Sequence, residues 1–221
     1  MNIISINDLN QAEMEIYNKY MPLFDKVKNH VSCYRYNPKE MIIDSDKKLD
    51  RLYFLLSGKA KISLIHEDGK RSIVHFVGPE EFVGELTLID VEQSPKDVTC
   101  LSECICMAVE MGVARDYLLS DNEFMLTMSR YIGKKLLDRT WFHSKQQSFE
   151  LRYRLAAYIL LAENEGYYDE RHTETAEFLG VSYRHLLQIL QLFRSEGLMK
   201  KTKKGYEINR EGLYEIAKHL E

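Results

Sequence analysis

The chain has no apolar run approaching the ~18 residues that a membrane-spanning helix needs. Its 221 residues are 45% apolar and 29% charged, which is the balance of a globular protein in water. The first residues, Met1 to Gln11, lack the basic stretch and the apolar core of a signal peptide. We therefore expect a cytoplasmic protein with no membrane partner, in which the four cysteines are reduced.

Motifs of catalysis are also missing. The phosphate-cradling patterns GxGxxG and GxxxxGK followed by Ser or Thr do not occur. His66 and His75 stand alone rather than as the His-x-His pair of a metal-binding barrel. The residues do not predict an enzyme. A net charge of −4 excludes a wholly basic surface and leaves room only for a local basic patch.

Glycine and proline are nearly absent from residues 113–195, whereas residues 34–109 are rich in β-branched and aromatic residues between short turn signals. This contrast predicts an α+β protein that changes class near Gly112. The many short strands of the first block are typical of a sandwich or a wound antiparallel barrel. The length fits two domains of ordinary size.

One strand and one hairpin of this barrel can be placed. Ala60, Ile62 and Leu64 alternate with polar neighbours, which predicts that these three side chains face inward. The pair Asp68-Gly69 then separates this strand from Ser72–Val77, and Asp-Gly tolerates the positive φ values of a tight hairpin.

A long amphipathic helix is predicted from about Asn122 to Ser144. Four apolar residues recur along it at intervals of three, four and four. This stripe packs either on the chain's own barrel or against a second copy in a coiled coil, and we favour the second arrangement and hence a homodimer. The residues of the predicted dimer stripe are Met125, Met128, Ile132 and Leu136.

The segment from Thr175 to Phe193 has the pattern of a helix-turn-helix. Ala176 permits close approach of the second helix, and Gly180 can adopt the left-handed conformation of the turn. Ser182 is placed to cap the second helix. The apolar residues predicted to point into the core are Leu179, Val181, Leu186 and Ile189.

This spacing leaves Tyr183, Arg184 and Gln188 exposed on the second helix, where they are predicted to contact base edges. Arg bonds guanine, Gln bonds adenine, and Tyr contacts phosphate or a thymine methyl group. Residues 178–210 contain seven basic and two acidic residues, which predicts a local positive charge. Residues 198–208 have the pattern of a strand, a basic turn and a second strand. This pattern predicts a wing whose lysines contact phosphates. The predicted backbone contacts are Arg171, His172, Thr173, Ser182, His185, Lys200, Lys201, Lys203 and Lys204.

Together these features resemble the CRP/FNR superfamily of bacterial transcription regulators. The segments that carry the resemblance are YFLLSGKAKISL (53–64), EDGK (67–70), FVGEL (82–86) and HTETAEFLGVSYRHLLQIL (172–190). GVSYRHLL and KKGY look most like the YeiL branch. The resemblance implies a cyclic-nucleotide-binding-like double-stranded β-helix (jelly-roll) barrel, a long dimerisation helix and a C-terminal winged helix-turn-helix. It also implies double-stranded DNA and RNA polymerase as partners.

The expected domains are a sensory barrel over residues 1–110, a dimerisation helix over 111–145 and a DNA-binding domain over 146–221. In the cyclic-nucleotide binders of this superfamily, an Arg that binds the cyclic phosphate follows a Gly-Glu pair by about ten residues. We expect a different effector for this chain. Gly84, Glu85 and Leu86 match the start of this effector pocket, but no arginine occurs in the stretch from Gln93 to Asp97. A cyclic nucleotide is therefore not the expected effector.

The cysteines are a second candidate sensor. Cys33, Cys100, Cys104 and Cys106 lack the N-terminal clustering of the superfamily's iron–sulfur proteins. Their roles as core residues, as a redox disulfide involving Cys33, or as ligands of zinc or a cluster all stay open. An alternative for the whole protein is a metabolite- or redox-sensing barrel that acts through protein contacts without direct control of DNA.

Overall fold

The computed structural model describes residues 1–67, 69 and 71–220, with the backbone alone at residues 142, 143 and 145–147. One compact unit contains residues 1–67 and 74–134, and the described residues of the other are 69, 71–73 and 135–220. The described strands are β1 (Asn2–Ile4), β2 (Ser32–Tyr36), β3 (Met41–Ile43), β4 (Arg51–Ser57), β5 (Ala60–Ile65), β6 (Arg71–Val77), β7 (Phe82–Val83), β8 (Asp97–Cys100), β9 (Cys104–Glu110), β10 (Tyr167–Tyr168), β11 (Met199–Thr202) and β12 (Gly205–Ile208).

Helices cover the barrel and build most of the second unit. In the described part of the chain, no helix is long and apolar enough to cross a membrane. The α-helices are α1 (Gln11–Tyr20), α2 (Glu85–Leu88), α3 (Met111–Val113), α4 (Asn122–Ser148), α5 (Leu151–Ala162), α6 (His172–Phe178), α7 (Tyr183–Ser195) and α8 (Arg210–Ala217). Short 3-10 or π segments occupy Ile6–Asp8, Met21–His30, Ala114–Leu118 and Lys218–Leu220.

The first unit is a barrel of two sheets, with the strand orders β1-β2-β9-β4-β7 and β3-β8-β5-β6. Most neighbours in each sheet are far apart in the chain, as in a jelly-roll, and the strands pair in antiparallel fashion. β5 and β6 are neighbours, as the predicted hairpin requires. The turn residues Asp68 and Lys70 lie outside the described residues.

The predicted alternation along β5 is wrong at its end. Ala60 is buried, but Leu64 is 38% exposed and Ser63 is 1% exposed. The last β5 residue paired with β8 is Ser63, opposite the buried Asp97. Leu64 lies beyond the last residue that pairs with β8.

An aromatic cluster fixes the helices to one face of the first sheet. The ring centroid of Phe82 lies 4.8 Å from that of Phe54, 6.2 Å from Phe24 and 6.3 Å from Phe124 at the start of α4. Each of these four side chains is at most 2% exposed. Edge contacts of this kind contribute about 0.5–1.5 kcal/mol each beyond the buried area. The cluster therefore binds the first half of α4 to the barrel.

All four cysteines are free and buried in the barrel unit, but they do not all lie on the same face of the sheet. Cys33 lies opposite Met107 in the β2–β9 register, so it points to the opposite face of the sheet from Cys106. A site built from all four thiolates, or a disulfide between Cys33 and Cys106, is therefore excluded by the register. Among the described residues, no group of three or more His, Cys, Asp or Glu side chains could hold a metal ion.

The surroundings of the thiols set their reactivity. Burial raises the pKa of Cys33 to about 11. Burial also raises the pKa of Cys106. Cys100 and Cys104 share a hydrogen bond, which raises the pKa of the first thiol and lowers that of the second. Since all four side chains are at most 2% exposed, a reagent in water does not reach even the Cys104 sulfur.

The native protein should therefore resist thiol reagents. With DTNB at pH 8, we expect no fast reaction in the native state and four thiols per chain in guanidinium chloride, because unfolding removes both burial and the raised pKa values. Absorbance at the thiolate product band measures both. Reaction of one or more thiols within the mixing time, without unfolding, would contradict this account of the barrel core.

Candidate nucleic-acid interface

A tight turn joins α6 to α7 in the second unit. Gly180 has φ +62°, in the left-handed region that the sequence predicted for it. The N–H of Val181 donates to the carbonyl of Ala176 at 2.9 Å, and Ala176 itself is 4% exposed. This small side chain lets the two helices meet closely. The segment is a helix-turn-helix in its local geometry.

The start of α7 is capped as predicted. The hydroxyl of Ser182 accepts a hydrogen bond from the backbone N–H of His185 at 3.2 Å. Ser182 and His185 are both exposed, so each can still meet a ligand. The helix then starts at Tyr183, directly after its cap.

The apolar residues predicted to point inward are placed only partly as expected. Leu179 and Leu186 are buried, whereas Val181 and Ile189 are only partly buried. The rest of the core face of α7 comes from two residues that are 3% and 0% exposed, Leu190 and Phe193. The reason is that residues 186, 190 and 193 repeat at the helical period, while residue 189 lies at the margin of this face.

A partly buried arginine that sequence reasoning missed holds the turn. Arg154 on α5 donates from Nη1 to the carbonyl of Leu179 at 2.8 Å and from Nε to the carbonyl of Phe149 at 2.9 Å. The first bond satisfies a carbonyl at the end of α6, where the helix leaves carbonyls unpaired. No local motif points to this residue, because the contact joins positions 25 apart.

The three predicted base-reading residues lie together on α7. Tyr183 is 49% exposed, and Arg184 and Gln188 are exposed one turn apart. Leu187 and Gln191 are exposed on the same edge and were not predicted as contacts. They follow Arg184 by three and seven residues, and this helical spacing places them on the same side of α7. The exposed edge of α7 thus consists of Arg184, Leu187, Gln188 and Gln191, with Tyr183 at its start.

The predicted strand–turn–strand follows α7 as an antiparallel hairpin, with Lys200 opposite Glu207 and Thr202 opposite Gly205. Its lysines are exposed. Lys204 Nζ also lies 5.6 Å from the ring centroid of Tyr167. Several exposed cations of this unit form no salt bridge with an acidic side chain among the described residues. They include Lys200, Lys201, Lys203, Lys204, Arg184 and Arg194.

Other charges of the segment are already paired. Arg152 binds Glu196 at 2.8 Å, and Arg210 binds Glu163 at 2.8 Å. Glu196 therefore does not oppose the basic hairpin, and Arg210 contributes less positive charge to it than the sequence count suggests.

The start of α6 places three further predicted contacts. Arg171 is exposed, at 3.8 Å from Glu174, and Thr173 lies exposed in the first turn. His172 stacks on Tyr206 with ring centroids 5.8 Å apart, and burial together with Lys201 lowers the pKa of its imidazole. The lowered pKa favours the neutral imidazole of His172 at pH 7.

The structure contradicts the predicted dimer stripe on α4 at Met128, and the other three residues stay a prediction. Met128 is 1% exposed, and Met125 and Ile132 pack against the barrel core. Met125 and Ile132 remain partly exposed, and Leu136 is 66% exposed. The cause is the aromatic cluster, which turns this side of α4 toward the chain's own barrel.

A second apolar edge of α4 is exposed instead. Leu126, Leu137 and Trp141 are 52%, 62% and 66% exposed. Gly133 is exposed between them with no described atom near its missing Cβ. The exposed face of α4 is defined here as Leu126, Gly133, Leu136, Leu137 and Trp141.

The predicted effector-pocket residues are part of the barrel wall. Gly84 has φ +92°, and a Cβ there would lie 2.8 Å from Leu49 Cδ2, so this position requires glycine. Glu85 is 4% exposed, and Leu86 is partly buried and accepts N–H bonds from Val91 and Glu92 through its carbonyl. Among the described residues, these three do not line the open cleft of about 960 Å³ that lies beside α2.

The stretch that follows α2 does not fit a cyclic phosphate. Lys96 pairs with Glu92, and Asp97 is 1% exposed and accepts the N–H of Ser45 at 2.9 Å. A phosphate here would meet the buried Asp97 carboxylate without an arginine to bind it. The nearest arginine along the chain, Arg115, is bound to Asp90 at 2.6 Å and to the Thr87 carbonyl at 2.8 Å.

Comparisons with known proteins identify the family of the chain. Residues 34–121 match the family described as cyclic nucleotide-binding domain. The chain is 36% identical over 184 residues, 83% of its own length and 84% of the relative's, to Regulatory protein YeiL of Escherichia coli O157:H7. It is 26% identical over 120 residues, 52% of the chain and 56% of the relative, to the cAMP-activated global transcriptional regulator Vfr of Pseudomonas aeruginosa.

Solved structures show the same fold at low identity. A CRP-family transcriptional regulator of Thermus thermophilus aligns with a TM-score of 0.63 at 20% identity, over 84% of this chain and 96% of that one. The c-di-GMP responsive regulator CLP of Xanthomonas campestris aligns with a TM-score of 0.62 at 18% identity, over 85% of this chain and 98% of that one. With its α+β barrel, its C-terminal helix-turn-helix and its likeness to YeiL, the chain belongs to the CRP/FNR family of transcription regulators.

Proposed function

We propose that the protein is a homodimeric regulator that binds double-stranded DNA in a sequence-specific manner, with α7 in the major groove. The observation that carries this proposal is the exposed polar edge of α7 beside a hairpin of exposed lysines. A helix fits the width of the major groove, where each base pair has its own pattern of donors and acceptors. The names of the relatives as transcriptional regulators support RNA polymerase as a further partner.

Tyr183, Arg184 and Gln188 read the bases. Arg184 donates two bonds to the acceptors of a guanine, and Gln188 pairs with an adenine through its amide. The ring of Tyr183 lies beside the Arg184 and Gln188 side chains in the first turn of α7. Each bidentate pair contributes about 1–3 kcal/mol of discrimination against a wrong base.

The backbone contacts lie on both sides of these bases. Ser182, Thr173 and His185 offer polar groups near the starts of α6 and α7, where unpaired N–H groups favour an anion. The lysines of the hairpin neutralise phosphates and supply affinity that does not depend on sequence. Arg171 and the neutral His172 extend this contact beside the hairpin.

We place the dimer interface on the exposed face of α4. Its leucines and Trp141 supply apolar area, and the missing side chain of Gly133 lets a partner helix approach closely. A two-fold arrangement of two α7 helices then matches an operator of two related half-sites.

The barrel senses a signal other than cyclic AMP. Asp97 and the paired Lys96 stand where a cyclic phosphate would need an arginine, which removes the strongest contact with the ligand. The family's fold supports such a change of signal, since one of the aligned structures is described as responsive to c-di-GMP.

Two alanine variants test the base-reading and phosphate roles. On a duplex selected by the wild type from a random pool, Arg184→Ala should cost ~1–3 kcal/mol and relax specificity at one base position. Lys203→Ala should weaken binding to specific and random duplexes alike and lower the salt slope by about 1. Fluorescence anisotropy at several salt concentrations measures both. Equal losses for Arg184→Ala on specific and random duplexes would refute its role at the bases.

A charge on the exposed face of α4 should separate the dimer. Leu137→Glu brings two like charges together, at a cost of several kcal/mol, so the dimer dissociation constant should rise about a hundredfold or more. Sedimentation equilibrium should show twice the 26.0 kDa chain mass for the wild type and the chain mass for the variant at the same concentration.

The matched control is Leu161→Glu on α5, where the native leucine is also exposed, at 41%. It should remain dimeric. A monomeric wild type, or a fully dimeric Leu137→Glu protein, would overturn the assignment of this face.

Cyclic AMP should not bind the barrel. A ligand concentration of 1 mM is about 100 times a dissociation constant of ~10 μM, and binding with that affinity would add ~2.7 kcal/mol to the free energy of unfolding. We expect no change in the thermal midpoint and no heat in titration calorimetry. A saturable heat with cyclic AMP would contradict the interpretation of residues 93–97.

A further inference from the structure

Leu187 is an apolar side chain on the edge of α7 that otherwise carries polar groups. It is 38% exposed and follows Arg184 by three residues, on the side of the exposed edge that also carries Gln191. The buried face of α7 is already complete with Leu186, Leu190 and Phe193. Leu187 is therefore not required by the core of its own unit.

The surroundings of Leu187 indicate what it meets. It lines an open groove of about 750 Å³ between α7 and the hairpin, together with Gln191, Arg194, Lys200 and Lys201. Three of these neighbours are cationic, so the groove suits a polyanion. The apolar Leu187 within it suits a polyanion that also presents an apolar group.

Duplex DNA has one such group in its major groove, the C5-methyl of thymine. We infer that Leu187 is a specificity-determining residue that packs on a thymine methyl group in each half-site. This inference rests on the proposed function and deepens it, since it names a base that α7 selects by shape rather than by hydrogen bonds. Arg184 and Gln188, both within one turn of Leu187 along α7, fix the register in which the leucine meets that base.

Uracil tests the contact directly, because it keeps the hydrogen-bonding edge of thymine and lacks only the methyl group. On the duplex selected by the wild type, each thymine of one half-site is replaced in turn by uracil. At one position the affinity of the wild type should fall about fourfold, because uracil lacks the methyl group that Leu187 would bury. Leu187→Ala should bind the thymine and uracil duplexes equally at that position.

Leu161→Ala serves as the matched control, since it removes a similarly exposed leucine from α5 of the same unit. It should show the wild-type loss with uracil. Leu187→Met, which keeps an apolar side chain of similar volume, should retain most of the discrimination.

The outcomes separate this inference from the proposed function. If the wild type selects a sequence but no uracil position distinguishes it from Leu187→Ala, the role of Leu187 is overturned and the regulator remains. If the wild type selects no sequence at all, both fail together.

Discussion

The left-handed turn at Gly180 is the constraint on which the helix-turn-helix of the second unit depends. A residue with a Cβ in this conformation costs roughly 1–2 kcal/mol, which glycine avoids. The turn lets α7 begin a few residues later, with Ser182 as its cap and the carbonyl of Leu179 held by Arg154. Once the core face of α7 is buried from this starting point, the helical period alone sends Arg184 and Gln188 to the solvent.

The sequence predicted what local chemistry determines. Gly180, Ser182 and the hairpin after α7 have signals within a few residues, and the structure has all three where they were expected. The inward face of α7 was harder, since the run from Leu186 to Phe193 holds apolar residues at several helical registers. Ile189 is therefore only partly buried, and Leu190, which was not predicted, is buried.

Sequence patterns did not predict the contacts between segments that are distant in the chain. α4 carries two apolar edges at helical spacing, and nothing in its own residues says which one the barrel covers. The stacking of Phe124 and Tyr131 on Phe82 decides it, and the side with Met128 becomes core. In the barrel, the register of β2 on β9 likewise separates the first cysteine from the last. The sequence shows that no arginine lies near Asp97, but it does not show that the Asp97 carboxylate is buried.

The central claim is that two α7 helices occupy successive major grooves on one face of a duplex. Methylation of guanine N7, which projects into the major groove, tests this directly by interference on the selected duplex. The account predicts two clusters of interfering guanines whose centres are about 10 base pairs apart, one helical turn. A single cluster, or binding that guanine N7 methylation leaves unchanged at every position, would contradict it.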